Sequence, residues 1–135
     1  MKTKLPNTLL GKVIRPAMIE IGVADANQLA TTVAFYEMLL SQTKQPFRLT
    51  TNMALLCVAT EDGSSHTTIY WEVPGESAAL KATYEDLIKS HGCGGIKPPH
   101  KPKNALLKGD LEVCTLADPA GNVLGLVVNP PYPFM

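Results

Sequence analysis

The spacing of apolar and polar residues predicts a strand and then a helix in the first third of the chain. Residues 17–23 alternate in part and are rich in β-branched side chains, which favours a strand. Asp25 follows with Gln28 three residues later, the arrangement of a capping box at a helix start. Apolar residues then recur at helical spacing to about Leu40, and Pro46 prevents any continuation. The predicted buried stripe consists of Leu29, Val33, Tyr36 and Leu40, widened by Phe35 and Leu39.

The same reasoning predicts further strands and a second helix. The strands are expected at 47–51, 54–60, 67–73, 111–117 and 123–128. The second helix is expected from Glu76 to about Ser90 with Gly92 just beyond its end. Its predicted buried side is Leu80, Tyr84, Leu87 and Ile88. The Gly-, Pro- and Lys-rich residues 92–110 are expected to form a long loop, and Asp-Pro-Ala-Gly-Asn at 118–122 predicts a tight turn.

The order of these elements repeats once along the chain. A strand, a helix and further strands begin near Ala17, and a second such series begins near Thr67. Each half alone buries too little apolar surface, so the two are expected to share one curved mixed sheet with both helices outside. We therefore predict a single α+β domain over residues 1–135. It divides into module one at about 14–62, module two at about 66–129, and a tail at 130–135. The pattern alone also fits a ferredoxin-like βαββαβ fold.

Composition excludes several classes of protein. The chain has 135 residues, enough for one domain, and 45% of them are hydrophobic, which is typical of a globular core. Lys+Arg and Asp+Glu number 12 each, so the basic excess of a nucleic-acid binder is missing. The zero formal charge does little to oppose self-association, and we expect a homodimer.

Compartment and redox state follow from the cysteines and the N-terminus. Cys57, Cys93 and Cys114 match neither a zinc pattern nor a thioredoxin-like pair and are expected to be free thiols. Polar residues interrupt the apolar stretch that a signal peptide needs, and no apolar run is long enough to cross a bilayer. We therefore expect a cytoplasmic protein without a membrane partner.

Three motifs together resemble the vicinal oxygen chelate superfamily, the glyoxalase/bleomycin resistance protein/dioxygenase family, which is built from two βαβββ modules. Asp25 before a helix that carries Phe-Tyr-Glu-Met-Leu-Leu at 35–40 is similar to its first module. Tyr-Trp-Glu-Val at 70–73 is similar to the opening strand of its second module, and Asp-Pro-Ala-Gly-Asn-Val-Leu at 118–124 to its closing hairpin. The resemblance spans roughly 14–129, with module one short by a strand, and the closing hairpin favours this family over the ferredoxin-like fold.

The resemblance implies a cup in the sheet, where catalytic members of the family hold a divalent metal that polarises substrate oxygens. It places the three metal-ligand positions at Met18, Thr68 and Gly125. These residues do not suit a hard or borderline divalent ion. We therefore predict no metal and no other cofactor, with a displaced Zn, Ni, Mn or Fe ion as the alternative.

Alternation along the strands predicts which side chains line the cup. Besides Gly125, the predicted ligand-binding residues are Met18, Glu20, Thr68, Tyr70 and Glu72. The side chains predicted to pack under the helices instead are Ile19, Ile21, Ile69 and Trp71. An apolar floor with one phenol and two carboxylates suits a small organic ligand.

Each polar candidate has two interpretations. Glu20 or Glu72 can bind a cationic ligand or act as a general base, or can be satisfied by its neighbours. For Glu72 we favour a place at the solvent rim. His66 joins Glu20 and Tyr70 as a catalytic candidate, or merely flanks a turn. The basic residues of the long loop can close over an anionic ligand or stay solvated. They are Lys97, His100, Lys101, Lys103 and Lys108.

Three hypotheses of function follow. The first is metal-independent binding of a small organic ligand in the cup, like the drug-sequestering branch of the family. The second is a lyase, isomerase or dioxygenase-type enzyme, similar to lactoylglutathione lyase, with a displaced metal or none. The third is a protein–protein module that uses sheet edges and the Pro-rich tail, where Tyr132 and Phe134 can pack across a subunit boundary.

Overall fold

The computed structural model describes residues 15–103, 107 and 109–130. The first half contains β1 (Pro16–Val23), α1 (Ala26–Leu40), β2 (Phe47–Thr50) and β3 (Met53–Ala59). The second half contains β4 (His66–Glu72), α2 (Ser77–Ser90), β5 (Gly94–His100), β6 (Glu112–Ala117) and β7 (Val123–Val128). The expectations for Lys108, Tyr132 and Phe134 lie outside the described residues. No helix of the described part is both long and apolar enough to span a membrane.

The strands form one seven-stranded mixed sheet in the order β2-β3-β1-β4-β7-β6-β5. In each half the first strand pairs parallel with the last, β1 with β3 and β4 with β7. The halves join where β1 runs antiparallel to β4. Both helices lie on one face of this sheet, each over its own half. The predicted α+β fold, a curved sheet with helices outside, is confirmed.

Helix α1 begins and packs as predicted. The Asp25 Oδ1 atom accepts a hydrogen bond of 2.9 Å from the Gln28 N–H, and Gln28 Oε1 accepts one of 3.1 Å from the Ala24 N–H. The helix ends where Ser41 adopts a left-handed conformation at φ 54°. The stripe of Leu29, Val33, Tyr36 and Leu40 packs on the outer sides of β2 and β3.

Four apolar residues predicted to be buried on the helix side are exposed instead. Phe35 and Leu39 are 49% and 59% exposed because they lie at the margin of the α1 stripe, beyond the strands that it covers. Ile69 is 40% exposed because β4 runs along the middle of the sheet, where the described helices leave it partly uncovered. Ile88 is also partly exposed, at the edge of α2 against Gly95. Alternation assigns a side chain to a face but does not say whether anything covers that face.

The second half differs from the prediction in one element. Residues 94–100 form the edge strand β5 within the segment predicted to be a loop. Pro98 and Pro99 are tolerated there because an edge strand needs donors on only one side. Module two is thus a complete βαβββ unit, whereas only β2 and β3 lie between α1 and β4, the shortfall predicted for module one. The predicted turn at 118–122 is present, with the Asp118 side chain accepting from the Ala120 and Asn122 N–H groups at 2.9 Å.

Candidate functional site

The three positions that the family resemblance gives to metal ligands lie side by side on the sheet. Met18 of β1 is opposite Tyr70 of β4, and Tyr70 is opposite Gly125 of β7. Thr68 lies two residues before Tyr70 on the same face and is opposite Glu20. The pairing of the two halves therefore brings Met18, Thr68 and Gly125 onto one concave face, which we call the cup.

The residues at these positions do not fit a metal ion. A Cβ atom added to Gly125 would lie 2.6 Å from Cδ1 of Tyr70, so the phenol ring occupies the space that a side chain at this position needs. Met18 and Thr68 contribute a thioether and a hydroxyl, which are poor partners for a hard or borderline divalent ion. Across the described residues, no three His, Cys, Asp or Glu side chains are grouped as metal ligands.

The middle of the cup is filled by its own side chains. Met18, Thr68 and Tyr70 are only 4%, 2% and 5% exposed. Met18 and Tyr70 belong to an apolar cluster that Leu107 and Leu111 also pack against. Burial and the nearby Glu20 carboxylate raise the pKa of Tyr70 well above its ordinary value, so its phenol stays protonated. Met18, Thr68 and Tyr70, which were predicted to bind a ligand, are therefore buried under other side chains and offer little surface for contact.

Glu20 marks the end of the cup where polar groups meet. Its side chain is half-buried on the face of Met18 and makes no hydrogen bond or ion pair with any described residue. Burial raises the pKa of the Glu20 carboxyl, an effect that the nearby His66 and Lys97 only partly offset. A desolvated carboxylate without a partner is unfavourable for folding, and such groups concentrate at functional sites.

His66 lies at the cup as well, because β4 extends back to include it. It is opposite Gly22, and its ring takes the space above that glycine, with Cε1 and Nε2 each 3.2 Å from where a Cβ would lie. Its Nδ1 atom is 3.2 Å from the hydroxyl of Ser64. The sequence predicts that this strand starts at Thr67, because the turn residues 61–65 come directly before His66.

Lys97, expected in a loop that can close over an anionic ligand, lies instead on the edge strand β5. It lies opposite Thr115, which lies opposite Gly125, so Lys97 shares the cup face with Tyr70. Four inter-strand spacings of about 4.8 Å separate β1 from β5 along the sheet. The Lys97 side chain is exposed, and its charge offsets the raised pKa of Glu20 less than His66 does. The Gly-Gly-Ile-Lys run before Pro98 contains too few apolar residues for an alternating pattern to predict this strand.

The other ionisable residues near the cup or in the second half have structural partners or lie elsewhere. Glu72 lies at the opposite end of β4 from His66 and forms an ion pair with Arg15, at 3.3 Å between Oε1 and Nε. The His91 ring lies 3.8 Å from the Asp86 carboxylate at the end of α2. His100 contacts the Pro98 carbonyl at 2.8 Å through Nδ1. Cys114 is buried under α2, and burial raises its pKa to about 12, which makes it an unreactive thiol.

A second cleft lies on the helix side of the sheet, and Gly22 and His66 line it as well as the cup. It has a volume of about 590 Å³ and lies between the middle of α1 and the adjoining ends of β1 and β4. Thr31, Thr32 and the edge-to-face pair Phe35 and Tyr36 line it, with ring centroids 5.1 Å apart. This cleft was not predicted, because it depends on how α1 crosses the sheet.

No protein-family model matches the sequence, and no curated protein matches it. Solved structures do. An NAD-dependent benzaldehyde dehydrogenase from Legionella pneumophila superposes with a TM-score of 0.53 and 15% identity, over 82% of this chain and 96% of that chain. Methylmalonyl-CoA epimerase from Streptomyces coelicolor gives 0.50 and 15%, over 86% and 97%. A glyoxalase/bleomycin resistance protein from Albidiferax ferrireducens T118 gives 0.39 and 19%, over 84% and 98%.

These similarities are similarities of fold. With identities of 15%, the first two superpositions cover most of both chains and say nothing about a shared substrate. Together with the two paired modules, they show the fold that the resemblance implied, one curved sheet built from two βαβββ-type modules.

Proposed function

We propose that this protein binds a small organic ligand at the polar end of the cup without a metal ion, as a glyoxalase/bleomycin resistance-like binding protein. The observation that supports this most is the half-buried Glu20 carboxylate, which lacks a hydrogen-bonding or ionic partner among the described residues. His66 lies opposite Gly22 at the same end of β1, and Lys97 lies on the same face of the sheet, on β5.

The filled metal-ligand positions support the metal-independent part of the proposal. The Tyr70 ring above Gly125 leaves no room for an acidic side chain at the third position. Proteins of one fold carry unrelated activities, so the fold does not select among enzymes and binding proteins. The homodimer and the cytoplasmic location expected from the sequence remain predictions.

A fragment screen by ¹H–¹⁵N NMR tests this proposal, because it locates the binding site as well as detecting binding. We expect fragments to shift the amide signals of Glu20 and Val58 in a saturable way. Glu20→Gln should weaken these hits, whereas Glu85→Gln, on the exposed side of α2, should leave them unchanged. Hits that shift only Phe35 and Tyr36 would move the function to the helix-side cleft, and a screen without hits in the cup would refute the proposal.

A further inference from the structure

Helix α1 lacks the charged outer face that helix α2 has. Glu37 is the only charged residue in Ala26–Leu40, and even the residues of this helix that pack on the sheet are only half-buried. On α2, by contrast, Lys81, Glu85 and Lys89 recur at four-residue spacing and are exposed. Charges at this spacing are typical of a helix face in water. The two helices occupy equivalent places in the two modules, so the difference belongs to the α1 surface and not to the fold.

The uncharged surface of α1 extends around more than a third of the helix. At about 100° per residue, the arc from Leu39 through Phe35 and Met38 to Ala34 contains no charged side chain. This arc faces away from the stripe that packs on β2 and β3, and Met38 at its middle is 72% exposed. A surface helix normally has one apolar stripe and a polar opposite face. Helix α1 therefore has a second apolar face, which the described residues leave uncovered.

The exposed surface continues from α1 onto the sheet. Phe35 and Thr67 both line the cleft beside α1, and Ile69 follows two residues later on the same face of β4. The large apolar side chains exposed here are Phe35, Met38, Leu39 and Ile69, which we call the α1 patch. With about 200 Å² for a whole large side chain, the α1 patch leaves roughly 400 Å² in water. Apolar patches of this size on a protein surface often mark interaction sites.

Both edges of the sheet are protected against pairing with a further strand. At edge strand β2, the Gln42 side chain donates to the Arg48 carbonyl at 2.7 Å and accepts from the Arg48 N–H at 2.8 Å. At edge strand β5, Pro98 and Pro99 have no N–H to donate. Edges blocked in these ways resist edge-to-edge association. The α1 patch is therefore the better surface for a partner than the sheet edges.

We infer that the α1 patch is the interface of a homodimer with two-fold symmetry, in which the α1 helices of two copies pack against each other. In such an interface both partners contribute the same surface, so any charge on it lies near its own copy. The α1 patch has no charge to be repelled, and the formal net charge of zero adds no repulsion at long range. A standard interface buries about 800 Å² per partner, a little over half of it apolar, which matches the size of the patch.

A small molecule does not account for the whole patch. The cleft that Phe35 lines can accept one, but Met38, Leu39 and Ile69 are not among the residues that line it. Covering all four side chains at once requires a partner with an extended apolar surface. A second copy of the chain supplies such a surface.

Sedimentation velocity of the full-length protein at increasing concentration tests the inference. We expect a reversible dimer for the wild type. Met38→Lys should raise its dissociation constant at least about tenfold, because each interface contains the new charge twice. Met38 is exposed, so this variant should fold, and far-UV circular dichroism checks that it does. Mixing Met38→Lys with Met38→Glu should restore the dimer, since opposite charges then meet across the two-fold axis.

Ile96→Lys is the matched control, because Ile96 is an exposed apolar residue on β5, at the edge of the other module. It should leave the dissociation constant unchanged. The inference is wrong if the wild type stays monomeric at every concentration, if Met38→Lys dimerises as well as the wild type, or if Ile96→Lys dissociates the dimer. A monomeric wild type that Met38→Lys destabilises would also overturn it, since residues of the same chain would then cover α1. The fragment screen of the cup is independent of these results.

Discussion

The ring of Tyr70 lies directly above Gly125, close enough that a Cβ atom at residue 125 would be 2.6 Å from Cδ1 and 2.9 Å from Cε1 of the ring. The two residues are paired across β4 and β7, so the contact is fixed by the sheet register. The absence of a side chain at one position and the large ring at the other are thus two parts of one arrangement. It fills the place that the family resemblance gives to a metal ligand.

Gly125→Ala should destabilise the protein, because the new methyl group must displace the buried Tyr70 ring. We expect the free energy of unfolding to fall by about 1–3 kcal/mol, the usual cost of overpacking a core. Urea unfolding measures it. Gly94→Ala is the matched control, since a Cβ there would meet only Ala117 at 3.9 Å, and we expect a change within about 0.5 kcal/mol. Equal stability of Gly125→Ala and the wild type would show that the ring is free to move.

The buried carboxyl of Glu20 predicts an unusual pH dependence of stability. Its pKa is raised in the folded protein, so the folded state holds the proton more tightly than the unfolded state. Stability should therefore fall as the pH rises from the ordinary value of 4.5 through the raised pKa. Glu20→Gln removes this loss and should be more stable than the wild type at pH 7.

Urea unfolding of both proteins from pH 4 to pH 8 checks the sign. The advantage of Glu20→Gln should shrink as the pH falls toward 4, where the wild-type carboxyl is protonated in both states. The exposed Glu85→Gln should instead follow the wild-type curve. A Glu20→Gln protein that is less stable than the wild type at pH 7 would mean that the carboxylate already has a stabilising partner, and the main support for the binding proposal would be lost.

Replacing an apolar helix residue by alanine should cost much more stability at a buried position than at an exposed one. Leu80 of α2 is fully buried in the cluster over β6 and β7, and Leu80→Ala should cost about 2–5 kcal/mol. Met38 of α1 is largely exposed, and Met38→Ala should change stability by less than about 0.5 kcal/mol. Thermal and urea unfolding give both values, at a protein concentration low enough that the chain is monomeric. A large loss from Met38→Ala would reveal that something outside the described residues covers this face.

The capping of α1 by Asp25 makes a separate prediction. The Asp25 carboxylate accepts a hydrogen bond from the Gln28 N–H, so Asp25→Ala should cost about 1 kcal/mol. Asp25→Asn keeps an acceptor and should lose only a few tenths of that, since Asn caps helices about as well as Asp. If the two variants are equally destabilised in urea unfolding, the charge and not the hydrogen bond is what stabilises the helix start.

Much of the fold could be predicted because local signals and long-range packing agree. The capping box at Asp25 and the turn at 118–122 are set by short-range hydrogen bonds that are visible in the sequence. The edge strand β5 was missed because Pro98 and Pro99 suggest a loop wherever the position of a strand within the sheet is unknown.

The site was less predictable because it depends on how the strands pair across the sheet and on which side chains lie over them. Alternation correctly places Met18 and Tyr70 on the cup face, but it cannot show that they are buried there. Nor can it place Lys97 on the cup face, since that depends on the pairing of β5 with β6 at the edge of the sheet. The exposure of Phe35 and Ile69 was missed for the same reason, because coverage depends on where α1 and α2 lie.

Calorimetric titration of the best cup ligand tests metal-independent binding most directly. It would be done with EDTA-treated protein and repeated after addition of Zn, Ni, Mn or Fe. The account predicts the same saturable affinity in every case, and loss of that affinity in Glu20→Gln but not in Glu85→Gln. Binding that appears only after a metal ion is added, or that is unchanged in Glu20→Gln, would contradict it.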